Sequence, residues 1–205
     1  MKFIPVLLLL LLSVELFAQK DSAKTIVQEN VKYREELDAE YKDPKTSPLN
    51  ETDIKTFTKH DFYPVDLKYR VVAKLIKADD EAFFGMKTTS EKIKSYRKYG
   101  ELHFVLLGKT YKLNVYQSED LMKKDAYKDY LFLPFTDLTT GETTYGGGRY
   151  IDIRTPVSGD EIIVDFNKAY NPYCAYSTKY SCPIVPQENF LNTKIKAGIK
   201  LKHKM

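Results

Sequence analysis

Arginine and histidine are scarce in this sequence. Of its 32 basic residues only Arg34, Arg70, Arg97, Arg149 and Arg154 are arginines, so the forked donors that read phosphates and base edges are few. With a formal net charge of only +4, nucleic acid is not an expected partner. The three histidines, His60, His103 and His203, stand at no ligand spacing, and no metal site is expected. The motifs G-x-S-x-G and H-E-x-x-H are absent, as are G-x-G-x-x-G and the phosphate loop, so no cofactor is expected. Internal repeats and low-complexity linkers are missing too. After the first residues no apolar run approaches the ~20 residues of a bilayer span, which excludes a further membrane span.

What is present begins with a leader. Met1-Lys2 precedes an apolar run from Val6 to Leu12, and the chain then reads "SVELFAQ" with the small residue Ala18. Pro5, Ser13 and Glu15 keep the run too short for an anchor, so residues 1–18 are expected to be a signal peptide, cleaved after Ala18 although Leu16 is larger than usual at its position. The protein is then secreted or periplasmic. With 43% hydrophobic and 13% aromatic residues, the rest of the chain is expected to fold rather than stay disordered.

Residues 22–42 carry Ile26, Val27, Val31, Leu37 and Tyr41, mostly three or four apart, which predicts an amphipathic helix lying on something larger. The break at "DPKTSPLN" ends it, and Asn50 with Asp53 resembles the cap of a short second helix through "ETDIKTF". From Lys68 the pattern changes to period two and to β-branched and aromatic residues, the chemistry of strands. The runs are "YRVVAKLIKA", "ELHFVLLGKTYKLNVYQ", "YLFLPF", "RYIDIR" and "EIIVDF". The second is a hairpin joined at Gly108-Lys109. The tail "KIKAGIKLKHK" alternates Ile195, Ala197, Ile199 and Leu201 with lysines, the pattern of a protected edge strand. The expected fold is therefore mainly β with an N-terminal helical segment, an antiparallel sheet or partly closed β-barrel. Residues 19–44 form the helical segment and 45–205 a single β-rich domain.

Export governs how the two cysteines, Cys174 and Cys182, are read. An even pair passing through an oxidising compartment is by default a disulfide, and closing so short a loop would stabilise the fold by about 2.5 kcal/mol on chain-entropy grounds. Free or redox-active thiols are the alternative, although a redox pair is more often C-x-x-C.

Three glycines at 146–148 precede a strand and so mark a bend or a close backbone crossing rather than a phosphate cradle, with close approach to a ligand as the alternative. Around them, and on the segment after the last long strand, stand Tyr145, Gly147, Arg149, Asp165, Asn167, Asn171, Tyr173, Glu188 and Asn189. These are the candidate ligand-binding residues, since loops at strand ends of a rigid scaffold usually build sites. Arg149 is three residues from Asp152, so the two cannot share a strand face. A buried ion pair of Arg149 with Asp165 is the structural alternative to a ligand role. "SYRK" at Ser95–Lys98 matches S-x-x-K but leads into a hairpin and lacks companion motifs. His103 alternates with Leu102 and Phe104 in a strand, which suits a structural or solvent-facing histidine better than a base.

The strings "LFLPFTDLTTGETTYGGGRYIDI", "IIVDFNKAYNPYCAYSTKYSCPIVPQENFL" and "IKAGIK" resemble the domain-of-unknown-function family 1684, over roughly residues 45–202. That resemblance implies a bacterial, often exported, β-rich protein and supplies no activity. The expected function is thus binding of a small polar ligand or peptide in the cell envelope. The alternatives are an enzyme, either a hydrolase using Asp165 or Glu188 or a flavin-type β-barrel protein, and a ligand-free envelope scaffold. No sequence feature fixes the oligomeric state or catalytic residues.

Overall fold

The computed structural model describes residues 4–79 and 81–201, with side chains from Ser22 onward. The leader expected over residues 1–18 and its cleavage lie outside the residues described in full, as does His203.

Helix α1 runs Ile4–Lys42. Its docked face keeps Ile26, Leu37 and Tyr41 of the five positions expected, but Val27 and Val31 are exposed at 37% and 44% and Asn30 is buried instead, at 0%. Ile26, Asn30, Tyr33, Leu37 and Tyr41 recur at helical spacing, so the periodicity holds on a face that mixes aliphatic, polar and aromatic residues. The hydroxyls of Thr46 and Ser47 donate to the carbonyls of Glu40 and Tyr41 at 2.8 and 2.7 Å, satisfying acceptors that the helix end leaves without partners. Helix α2, Glu51–Thr56, is capped by the Asn50 side chain, which accepts from the amides of Thr52 and Asp53, the arrangement its sequence predicts.

The strands are β1 (Arg70–Lys77), β2 (Phe84–Lys87), β3 (Ile93–Leu106), β4 (Lys109–Ser118), β5 (Tyr130–Asp137), β6 (Arg149–Arg154), β7 (Glu161–Asp165) and β8 (Phe190–Leu191). They form one sheet in the order β6-β5-β4-β3-β1-β7, with β2 added on β3 and β8 on β5. Every pairing is antiparallel except β5 with β8. The fold is the mainly β architecture with an N-terminal helix that the sequence predicts, its sheet curled into a half-barrel.

Period-two alternation decides what the curl encloses. Ala73 and Leu75 of β1, Leu102, Phe104 and Leu106 of β3, Leu113 and Val115 of β4, Leu131, Leu133 and Phe135 of β5, and Ile151 and Ile153 of β6 meet in the main core. On the opposite face Met86, Tyr96, Tyr116, Phe132 and Tyr150 form a second, aromatic cluster against Tyr170 and Val185. The loop that follows β7 covers this cluster, and the Tyr150 hydroxyl donates to the Pro183 carbonyl. Both faces of β5 are therefore buried, which explains its nearly unbroken apolar sequence.

The β3–β4 hairpin turns one residue earlier than expected. Leu106 pairs with Lys109, so Leu107 and Gly108 are the turn residues, with φ of 50° and 77°. That is the backbone of a two-residue primed turn, in which a leucine is strained.

The tail departs from expectation more strongly. Ile195, Ala197 and Ile199 are buried, as alternation requires, but residues 194–198 are not a strand. The chain is extended without a ladder because its carbonyls are taken by a side chain, Arg149. Its far end is held by single backbone bonds to loops: Tyr63 donates to Gly198, Ile199 to Ala169, Lys200 to Asp61 and Leu201 to Thr143, with an isolated bridge between Ile199 and Phe62.

Candidate functional site

β6 and β7 are the outer strands of the half-barrel, and no ladder joins them among the described residues. Their separation leaves a cleft of ≈ 360 Å³, lined by Glu29 from α1, Arg70 from β1, Asp152 and Arg154 from β6, Glu161 and Asp165 from β7, and Lys168 just beyond it. A cleft of this size suits a small molecule. Both signs of charge face it.

Asp152 is the most elaborately supported of these groups. The hydroxyls of Tyr130 and Tyr170 both donate to its Oδ1 at 2.7 Å. Burial first, and then the carboxylate itself, push both phenols upward, so they remain protonated donors. Tyr33 of α1 is raised by the same two causes in the same order, and Lys168 Nζ lies 5.9 Å from the centre of its ring. The helix thus sets a phenol ring behind Lys168, one of the residues that line the cleft.

Asp165 fixes the roof and the floor together. Its Oδ2 accepts from Asn30 Nδ2 at 2.9 Å, and Arg70 Nε stands 3.9 Å from the same oxygen. Its Oδ1 accepts from the Asn167 amide and side chain at 3.0 and 2.9 Å. A carboxylate so fully bonded is a positioning group rather than an acid or base.

The residues proposed from sequence do not gather in one place. Only Asp165 lines the cleft. Arg149 is 1% exposed; its guanidinium donates to the carbonyls of Ala197, Ile195 and Ile199 and pairs with Asp137 at 3.5 Å. The ion pair with Asp165 considered from sequence is therefore replaced by two others, Arg149 with Asp137 and Arg70 with Asp165. Arg149 and Asp152 do face opposite sides of β6, as their spacing requires. Asn167 makes a reciprocal pair with the backbone of Asp66, accepting from its N–H and donating to its C=O, both at 2.9 Å. Asn189 does the same for Asn114 at 2.9 and 2.8 Å and donates also to Pro134. Both amides stand in for peptide groups.

Asn171 is buried, with its amide on the Tyr176 hydroxyl at 3.2 Å. The Tyr173 hydroxyl donates to Glu40 on α1, and exposed Glu188 accepts from Tyr116 at 3.2 Å. These three do not converge. In the glycine run, Gly148 has φ of 85°, and a Cβ there would sit 2.7 Å from the Phe135 carbonyl oxygen and from Val185. A close backbone crossing is the reason for that glycine. Gly147 is exposed beside the Tyr145 ring.

Cys174 and Cys182 are free thiols here, where a disulfide is expected from the sequence. They are neighbours nonetheless, since the Cys174 amide donates to Cys182 Sγ at 3.2 Å. The Tyr145 hydroxyl lies 3.9 Å from Cys174 Sγ. Among the described residues no group of three His, Cys, Asp or Glu side chains could hold a metal ion, and no helix is long and apolar enough to cross a membrane.

Sequence reasoning missed Glu29, Arg70, Arg154 and Lys168. They come from four separate segments, brought together by the helix, by β1 beside β7 and by the unpaired edge of β6.

A half-barrel sheet with an N-terminal helix across its open side defines the class of fold. The chain belongs to the family described as protein of unknown function DUF1684, whose model matches residues 55–200. It is similar to the solution NMR structure of an uncharacterized protein from gene locus rrnAC0354 of Haloarcula marismortui, at 31% sequence identity and a TM-score of 0.69, covering 92% of this chain and 99% of that one. No curated protein matches.

Proposed function

We propose that the protein binds a small zwitterionic ligand, an amino acid or short peptide, in the cleft between β6 and β7. The observation that carries this reading is the juxtaposition there of Arg70 and Lys168 with Asp152 and Glu29 around ≈ 360 Å³. A ligand bearing one charge of each sign pairs with both sets, whereas an apolar ligand would leave them desolvated and unpaired. Both phenols bond to one oxygen of Asp152, which leaves the other to accept from a ligand ammonium. The leader-like N-terminus supports placing this binding outside the cytoplasm.

The test is a thermal-shift screen of the full chain against free amino acids and dipeptides, followed by calorimetry on any ligand found. A saturable ligand whose affinity falls at least tenfold in Lys168→Ala and in Asp152→Asn supports the reading. No shift across the panel, or affinity unchanged in both variants, overturns it.

A further inference from the structure

We propose that Cys174 and Cys182 form a thiol–disulfide exchange site that takes low-molecular-weight disulfides as substrates, with Cys174 as the attacking sulfur and Cys182 as the resolving one. The site shares no residue with the charged cleft and is independent of it.

The geometry is asymmetric in the way such a pair requires. Cys182 is buried, at 8% exposure, and lies on a segment anchored to the end of β2. Its amide donates to Thr89 Oγ1 at 3.1 Å, and the Thr89 amide donates back to its carbonyl at 2.8 Å. The neighbouring Ser181 and Ser90 hydroxyls bond at 2.7 Å, and the Ile184 amide donates to the Lys87 carbonyl. Cys174 sits instead in the short turn Tyr173–Ala175 and is half-buried. One sulfur is held on a fixed rail while the other is reachable. The contact between the Cys174 amide and Cys182 Sγ keeps them side by side.

The surroundings also separate the two acidities. A hydrogen bond with the Cys182 thiol, assisted by the hydroxyls of Thr89 and Tyr145, holds Cys174 below the ordinary thiol range against the opposing effect of burial. The same thiol contact and burial push Cys182 up. A thiolate backed by a protonated thiol is the combination that attacks and then resolves.

The chemistry balances without another reactant. Cys174 thiolate attacks one sulfur of the substrate disulfide, a Cys174–substrate disulfide forms, and the other half leaves as thiolate. Cys182 then gives its proton to that thiolate and its sulfur attacks Cys174 Sγ, releasing the second half as thiolate, which takes a proton from water. Two electrons pass from the two cysteine thiols to the substrate disulfide. The disulfide expected from sequence is thus one of the two working states.

The probe is oxidised glutathione, added to the reduced full chain and followed by intact mass. The wild type should end with an internal disulfide and no lasting adduct, Cys182→Ser should accumulate a glutathione adduct on Cys174, and Cys174→Ser should react at least tenfold more slowly. A disulfide that dithiothreitol cannot reduce in the native state would show a structural bridge and overturn the proposal, as would equal reactivity of the two serine variants. Should the serine variants fail to fold, the wild type still decides: iodoacetamide must label Cys174 at least tenfold faster than Cys182 at neutral pH, and equal labelling overturns the assignment.

Discussion

The side-chain amide of Asn30, on the N-terminal helix, donates to Asp165 Oδ2 at 2.9 Å across 135 residues of sequence. This bond to a buried carboxylate anchors the helix near its middle, as the Asp38 carboxylate accepting from the His60 amide and Glu40 accepting from Tyr173 anchor its end, on a helix whose valines remain in water. Asn30→Ala removes the donor and leaves that oxygen under-bonded, a loss of about 1–3 kcal/mol. Urea denaturation should show it, and limited proteolysis should cut α1 faster in the variant than in the wild type.

Arg149 is predicted to be structural. Its guanidinium satisfies the carbonyls of Ile195, Ala197 and Ile199 while paired with Asp137, and breaking a buried pair of this kind costs about 3–5 kcal/mol. Arg149→Ala should lose that amount in chemical denaturation, with the earliest hydrogen exchange at residues 195–199. Arg149→Lys should not restore stability, because an ammonium cannot span four acceptors with the same geometry.

Leu107 offers a gain. It holds φ of 50° in an exposed turn, a conformation that costs a leucine about 1 kcal/mol and that asparagine tolerates. Leu107→Asn should raise the melting temperature while leaving ligand binding and thiol chemistry unchanged.

Glu101 sets an acid limit. Hydrogen bonds from Lys98 and then from His103, with a smaller contribution from Lys112, hold its carboxyl at about 2, below the ordinary 4.5. A folded value below the unfolded one means the stabilisation is complete above about pH 4.5 and fades as the pH falls toward 2. In denaturation midpoints taken across that window, Glu101→Gln should flatten the slope relative to the wild type.

The runs from Lys68 to Phe166 named six of the strands but neither β2 nor β8; strands such as β1 and β7 bury alternate residues, and that alternation survives in sequence. Asn50 named the start of α2 by the same directness: a cap lies within three residues of what it caps. The face of α1 was read correctly at Ile26, Leu37 and Tyr41 but not at Val27 and Val31, because Asn30 binds through a specific hydrogen bond that leaves no apolar signature. The tail was misread because alternate burial is necessary for an edge strand but not sufficient, and Arg149 replaced the partner strand. Of the cleft's charged groups the sequence pointed only to Asp165 as a site residue. Glu29, Arg70, Asp152 and Lys168 are ordinary surface residues until β6 and β7 fail to meet. Asn167 and Asn189 looked like ligand groups because an amide that recognises a peptide backbone within the chain has the same chemistry as one that recognises it in a ligand.

Those two asparagines also carry a consequence for how the chain assembles. Each holds a backbone segment far away in sequence, 101 residues for Asn167 with Asp66 and 75 for Asn189 with Asn114. Neither can form until the intervening strands have closed the loop between them, and loops of that length slow the search. The amides of Asp66 and Asn114 should therefore gain protection together, late in refolding and after the β3–β4 hairpin, so that two side chains act as the clasps that report completion of the fold.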